Sequence, residues 1–208
     1  MWAIVVAAGG GTRFGGAKQF ALLGGRSLGD RAAGAAAEIC DGVVVVLPPG
    51  EAWAPPAGVS AVPGGATRSE SVRAGLDAVP ADVETIVVHD AARPLASRSL
   101  FVEVIRAVEA GADGAVPAMR VVDTVKRVDA GRVVETVPRD DLYTVQTPQA
   151  FRAASLRAAH AGGAIGTDDA ALVEALGGTV VVVEGEARNL KVTVAADLEM
   201  IDALLGER

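Results

Sequence analysis

Hydrophobic positions gather along this chain in short runs at residues 2–8, 42–47, 59–62, 85–89, 114–118 and 179–184, most of them closed by glycine, proline or a charged residue. Runs of this length, rich in valine and alanine, predict buried strands. Between them the period changes. Val72, Leu76 and Val79 recur at helical spacing behind Thr67-Arg68-Ser69-Glu70, whose Thr and Glu stand in capping-box register, so a helix is predicted from Thr67 through Val79. Leu100, Phe101, Val104, Ile105 and Val108 make one apolar stripe, Ala171, Leu172, Ala175 and Leu176 another, and Leu198, Ile201, Leu204 and Leu205 a third. Strands alternating with helices predict an α/β fold, a mainly parallel twisted sheet flanked by helices.

One segment departs from this alternation. From residue 121 to 137, β-branched residues lie on both sides of Asp129-Ala130-Gly131, which predicts a three-residue turn with glycine at the position of positive φ. Asp123, Lys126, Arg127 and Arg132 interrupt the apolar pattern. Residues of about 120–140 therefore read as a β-hairpin arm reaching away from the core toward another subunit; a solvated edge hairpin is the plainer alternative.

Length and composition narrow the class. A chain of 208 residues suits one α/β core, so residues 1–208 are expected to form one domain, with no room for a second fused enzyme. The net charge of −7 gives no overall basic field to draw the protein to nucleic acid or an anionic membrane, so any phosphate ligand must be held locally. Cys40 is the only cysteine, which removes a disulfide framework or cysteine zinc cluster and fits a buried packing residue beside the strand at Gly42. No apolar run approaches the ~20 residues needed to cross a bilayer. These features predict a soluble cytoplasmic protein.

The first strand runs into Ala7-Ala8-Gly9-Gly10-Gly11-Thr12-Arg13-Phe14-Gly15-Gly16-Ala17-Lys18-Gln19. Glycines let main-chain N–H groups approach phosphate oxygens, and Arg13 and Lys18 supply the charge a triphosphate needs. Two better-known loops are excluded by position. A dinucleotide fingerprint needs a third glycine where Phe14 stands, and in a P-loop the lysine place is the one Ala17 occupies, while no Ser or Thr follows Lys18. A second glycine turn, Gly64-Gly65 before Thr67, Arg68 and Ser71, enters a helix whose N–H groups and hydroxyls suit a nucleobase and ribose. His89-Asp90-Ala91-Ala92-Arg93-Pro94 lies at a carboxyl end of the sheet, where open α/β folds bind ligands. Asp90 is a candidate for magnesium or a substrate hydroxyl and Arg93 for a phosphate, with an Asp90–Arg93 pair fixing the turn as the plainer alternative; His89 reads as a hydrogen-bonded structural residue. Later come Arg139, Thr147-Pro148-Gln149, Thr167-Asp168-Asp169 and Asn189-Leu190-Lys191-Val192-Thr193. Thr167 is explicable as an N-cap, and Lys191, set between apolar stretches, as the partner of a phosphate.

These segments, in this order, closely resemble the 2-C-methyl-D-erythritol 4-phosphate cytidylyltransferase family, and the likeness spans almost the whole chain. The further anchor is Asp123-Thr124-Val125-Lys126, while Ala17 and Ala66 depart from the proline and acidic residue common in that family. The resemblance implies a Rossmann-like nucleotidyltransferase fold with a homodimer built through the arm. It implies joining of CTP and the polyol phosphate with Mg²⁺ assistance, and release of pyrophosphate. It assigns transition-state stabilisation to Arg13 and Lys18, and positioning of the phosphate substrate to Lys191 and Arg139, the latter in its own or the partner's site. Asp90, Arg93, Thr124, Thr147 and Thr167 match further substrate positions, and Ala7, Ala8, Gly9, Gly10, Gly11, Gly65 and Ser71 match the nucleotide site. The nearest alternative is a ribitol 5-phosphate cytidylyltransferase, which would share the loop and differ in the acceptor pocket. A silent CTP-binding protein is a weaker one, since binding alone needs fewer converging cations.

Overall fold

In the computed structural model, which describes residues 1–206, each predicted apolar run forms a strand whose ends shift by at most two residues. The order is β1 (Trp2–Val6), a 3₁₀ turn (Lys18–Phe20), β2 (Leu22–Leu23), β3 (Arg26–Ser27), α1 (Leu28–Ala37), β4 (Gly42–Leu47), β5 (Val59–Pro63), α2 (Arg68–Ala78), β6 (Thr85–Asp90) and α3 (Arg98–Glu109). It continues with β7 (Gly114–Arg120), β8 (Val125–Asp129), β9 (Arg132–Val137), β10 (Tyr143–Val145), β11 (Gln149–Arg152), α4 (Ala153–Ala161), α5 (Asp169–Ala175), β12 (Val180–Glu184) and α6 (Ala196–Gly206).

The main sheet runs β10-β7-β11-β6-β1-β4-β5, with β12 also paired to β7. β1 pairs in parallel with β4 and β6, β4 with β5, and β12 with β7. The expected parallel sheet is therefore present, interrupted by β11, which lies antiparallel to both β6 and β7, and by β10, antiparallel to the far end of β7. β4 is buried along its whole length, which is why its sequence is valine almost throughout. Ala32, Ala36, Phe101, Val104 and Val108 of α1 and α3 cover one face of the sheet. Val72, Leu76, Leu156 and Leu172 of α2, α4 and α5 cover the other. Ile201 of α6 joins Leu23, Leu28, Leu95 and Val192 in a third cluster, against which Phe14 of the glycine loop packs.

The capping box of α2 forms as predicted, with Thr67 accepting from the Glu70 amide and Glu70 from the Thr67 amide. Two local expectations are corrected. The N-cap of α5 is Asp168, whose carboxylate accepts the Ala171 amide, and not Thr167. That helix also ends at Ala175, leaving Leu176 exposed. The stripe of α3 is buried at all five predicted positions. No described helix is long and apolar enough to cross a membrane. Cys40 is buried in the core, and burial pushes its thiol up to about 12, so it remains an unreactive packing group.

β8 and β9 pair only with each other and carry mostly exposed side chains, the form expected of a projecting arm. The register joins Asp129 to Arg132, so the loop holds two residues, Ala130 and Gly131, both with positive φ (45° and 77°). This replaces the expected three-residue turn with a two-residue turn of the kind that matches strand twist.

Candidate active site

From β1 the chain crosses to β4 and β5 on one side, while β6 lies on the other. The carboxyl ends of β1 and β6 therefore border the crevice at which open α/β sheets take ligands. A cavity of about 220 Å³ opens there, walled by Ala7, Ala8, Gly9 and Gly10 after β1, Gly65 and Ser71 around the start of α2, and Asp90 at the end of β6. Lys18 and Lys191 line it together, although 174 positions separate Lys18 from the Val192 carbonyl to which its Nζ donates at 2.8 Å.

The glycines of the first loop divide by role. Gly11 has φ +59°, its carbonyl accepts the Phe14, Gly15 and Gly16 amides at 2.8, 2.9 and 3.3 Å, and an added Cβ would stand 1.8 Å from the Gly16 oxygen. It shapes the loop and does not line the cavity. Gly9 and Gly10 would meet nothing within 4 Å if they carried a Cβ, so the protein's own packing does not require glycine there. Their amides find no acceptor among the described residues. Open space and free N–H groups at these two positions suit the close approach of phosphate oxygens.

Charge around Asp90 differs from the simple turn pair. Its Oδ2 accepts from Lys191 Nζ at 2.6 Å and its Oδ1 from Arg68 Nε at 3.3 Å. Burial alone would raise this carboxyl, but Arg68 and Lys191 overcome it and hold Asp90 well below the usual carboxylate range. Arg93 turns elsewhere, donating to the carbonyls of Asn189 at 2.7 Å and Val145 at 3.3 Å. Lys191 is half-exposed and pairs with the Asp90 carboxylate. Burial first, then the neighbouring charge of Lys191, lowers the pKa of Lys18, with Asp90 opposing. Arg13 is exposed on the loop, near enough to add to that repulsion, but outside the cavity lining.

These commitments bear on metal binding. Both oxygens of Asp90 are engaged by cations, and among the described residues no group of three His, Cys, Asp or Glu converges as ligands. The donor set does not suit a resident divalent cation on Asp90, contrary to the expectation from its position.

A second cavity of about 230 Å³ adjoins the first and is lined by Arg93, Thr147, Gln149, Thr167 and Asp168. Thr147 is buried, and its hydroxyl accepts the Asp90 amide at 3.0 Å and faces His89 Nδ1 at 3.0 Å, so it holds the β6 terminus in place. Ser71 similarly donates to the Thr67 carbonyl at 2.9 Å and accepts the Gly65 amide at 3.3 Å. Thr124 and Arg139 lie exposed at the base of the arm and line neither cavity, and Arg139 donates to the Val122 carbonyl. Sequence reasoning assigned no role to Arg68, which lines both cavities, or to Gln19, which is buried beside Lys18. The signal available for Arg68 was a cation on the first turn of a helix, the end that disfavours positive charge.

A family model described as 2-C-methyl-D-erythritol 4-phosphate cytidylyltransferase matches residues 1–207. An enzyme of that name from Frankia casuarinae is 47% identical over 98% of this chain and 80% of its own. A bifunctional enzyme IspD/IspF of Clavibacter michiganensis subsp. michiganensis is 47% identical over 98% of this chain and 54% of its own, so the chain spans about half the length of that relative. The crystal structure of 2-C-methyl-D-erythritol 4-phosphate cytidylyltransferase from Thermus thermophilus superposes with a TM-score of 0.85 at 38% identity, covering 98% of both chains. A match over nearly every residue, with the same fold beneath it, means that the chain belongs to the 2-C-methyl-D-erythritol 4-phosphate cytidylyltransferase family.

Proposed function

We propose that residues 1–208 act as one nucleotidyltransferase unit that transfers the cytidylyl group of CTP to 2-C-methyl-D-erythritol 4-phosphate. The meeting of Lys18 and Lys191 in one glycine-walled cavity is the observation that carries this reading. An oxygen of the acceptor phosphate forms a bond to the α-phosphorus of CTP while the bond to the β-phosphate oxygen breaks, and pyrophosphate leaves. The main obstacle is repulsion between two anions, which fixed cations offset as charge spreads over the phosphoryl oxygens. The phosphate nucleophile is already ionised at neutral pH, so no protein base is needed. Mg²⁺ enters as part of the substrate, carried on the triphosphate.

In this reading Ala7 to Gly10, Gly65 and Ser71 border the nucleotide, with Arg13 and Lys18 at its phosphates. Lys191 and Arg93 hold the acceptor phosphate, and Thr167 borders the acceptor. Thr124 and Arg139 serve the site of a second copy, because they stand on the arm and away from the cavities of their own chain. The test is pyrophosphate release from CTP and Mg²⁺ with each polyol phosphate. Methylerythritol phosphate is expected to be turned over, and Lys18→Ala and Arg13→Ala each to lower kcat by about 10²-fold or more, as loss of a transition-state donor does. Turnover with ribitol 5-phosphate alone, or near-normal rates in both variants, would overturn the reading.

A further inference from the structure

The nucleotide and acceptor cavities share three lining residues, Arg68, Asp90 and Lys191. In a transfer between two bound molecules, the attacking oxygen and the attacked phosphorus must meet where their pockets meet. Lys191 already has a place in the proposed chemistry, and Asp90 is its ion-pair partner. Arg68 has no such place.

Its position is costly without a purpose. It is the first residue of α2, where the helix dipole disfavours a cation, and the cap of that helix is completed by Thr67 and Glu70 without it. The side chain is held from two directions, Nε by Asp90 at 3.3 Å and Nη1 by Asp169 at 2.7 Å. Nη2 has no partner among the described residues, and the side chain remains 27% exposed at the cavity junction. Behind it, Asp169 is 1% exposed, lines neither cavity, and bonds through its other oxygen to His160 Nε2 at 3.0 Å. This is a braced cation on the wall of both cavities, with one amino group left without a partner among the described residues.

We propose that Arg68 is a further catalytic cation of the transfer centre, and that the buried Asp169–His160 pair is a positioning device that aims its guanidinium. The inference rests on the nucleotidyltransferase reading above. Its experiment uses the whole protein, with pyrophosphate release for rates, calorimetry for CTP affinity, and thermal unfolding for integrity. Arg68→Gln is expected to lower kcat about 10²-fold while the Kd for CTP changes less than about threefold, and Arg68→Lys to recover part of the loss. Asp169→Asn is expected to lower kcat about tenfold alone but to add nothing in the Arg68→Gln background, because residues acting as one unit are non-additive. A merely structural Asp169 would give the same further loss in both backgrounds, and that result rejects the positioning role. If Arg68→Gln fails to fold, Arg68→Lys decides, since it keeps the charge and loses the fork. A folded Arg68 variant with kcat within threefold of the parent overturns the proposal. A parent inactive on both polyol phosphates removes the underlying reading, and this inference with it.

Discussion

His89, the residue before the last of β6, has its ring fully buried and edge-on to Phe101, the ring centroids 5.2 Å apart. The Asp90 amide donates to the Thr147 hydroxyl, which leaves that hydroxyl's own proton for Nδ1, while Nε2 donates to the Arg93 carbonyl at 3.2 Å. Both ring nitrogens are thus satisfied in the neutral form. Burial, opposed by Asp90, pushes the imidazole down from 6.5 to about 4. Between those values the unfolded chain binds a proton that the native protein does not, so stability is complete above pH 6.5 and is lost as the pH falls toward 4. The loss should total about 3 kcal/mol. Asp90 contributes in a lower window, since its depressed pKa matters only below the ordinary carboxylate value. Urea unfolding at pH 7 and pH 4.5 should show the drop, and His89→Gln should flatten the slope whatever it does to stability at pH 7. An unchanged slope would show that His89 is not its source. The structural role of this histidine was legible from its place at a strand end, and so were Lys18, Asp90 and Lys191 as cavity residues. Their pairings were not, because Asp90 selects cations 22 and 101 positions away over the nearby Arg93. Nor was the inward turn of the Thr147 hydroxyl, which depends on where β11 places it beside His89.

The arm gives a prediction at the level of the element. Ala130 is the only residue other than glycine with positive φ among the described residues, and the two-residue turn it shares with Gly131 demands that conformation at both positions. For an L-residue with a Cβ the left-handed region costs on the order of 1 kcal/mol, whereas asparagine tolerates it. Ala130→Asn should therefore steady the hairpin by about 0.5–1 kcal/mol and slow hydrogen exchange of the β8 and β9 amides about two- to fivefold. Faster exchange in Ala130→Asn would contradict the turn geometry. The hairpin could be located from sequence, since β-branched runs flank a glycine turn, yet its loop length depends on cross-strand register. The same limit hid β10 and β11. Tyr143–Val145 and Gln149–Arg152 are short and lack a sustained period, and their strand character comes from antiparallel partners supplied by β6 and β7. The long valine strands and α3 needed no such help, because each carries enough apolar surface in its own pattern to require burial.

At the scale of the molecule, the arm presents Val128, Val133 and Val134 at 56%, 61% and 57% exposure, with Val122 at 76% beside its base. An isolated two-stranded ribbon is marginal in water, and one with adjacent valines on both faces needs a cover. A second copy supplies it in the proposed assembly, which also explains why Arg139 and Thr124 stand apart from the cavities of their own chain. Twofold symmetry makes the arrangement testable without a structure of the complex. Lys18→Ala removes a cation contributed within a chain, and Arg139→Ala removes one delivered to the neighbour. In a mixed dimer of the two, one site then carries both defects and the other carries neither. Equal mixing after subunit exchange should restore about one quarter of parental activity, because half the dimers are mixed and each holds one intact site. If Arg139 worked in its own chain, every site would retain a single defect and mixing would restore nothing. Sedimentation should show a dimer for the parent and for both variants, while Val128→Asp with Val133→Asp should yield monomers that bind CTP but turn over slowly. Monomers with full activity would separate the arm from catalysis altogether.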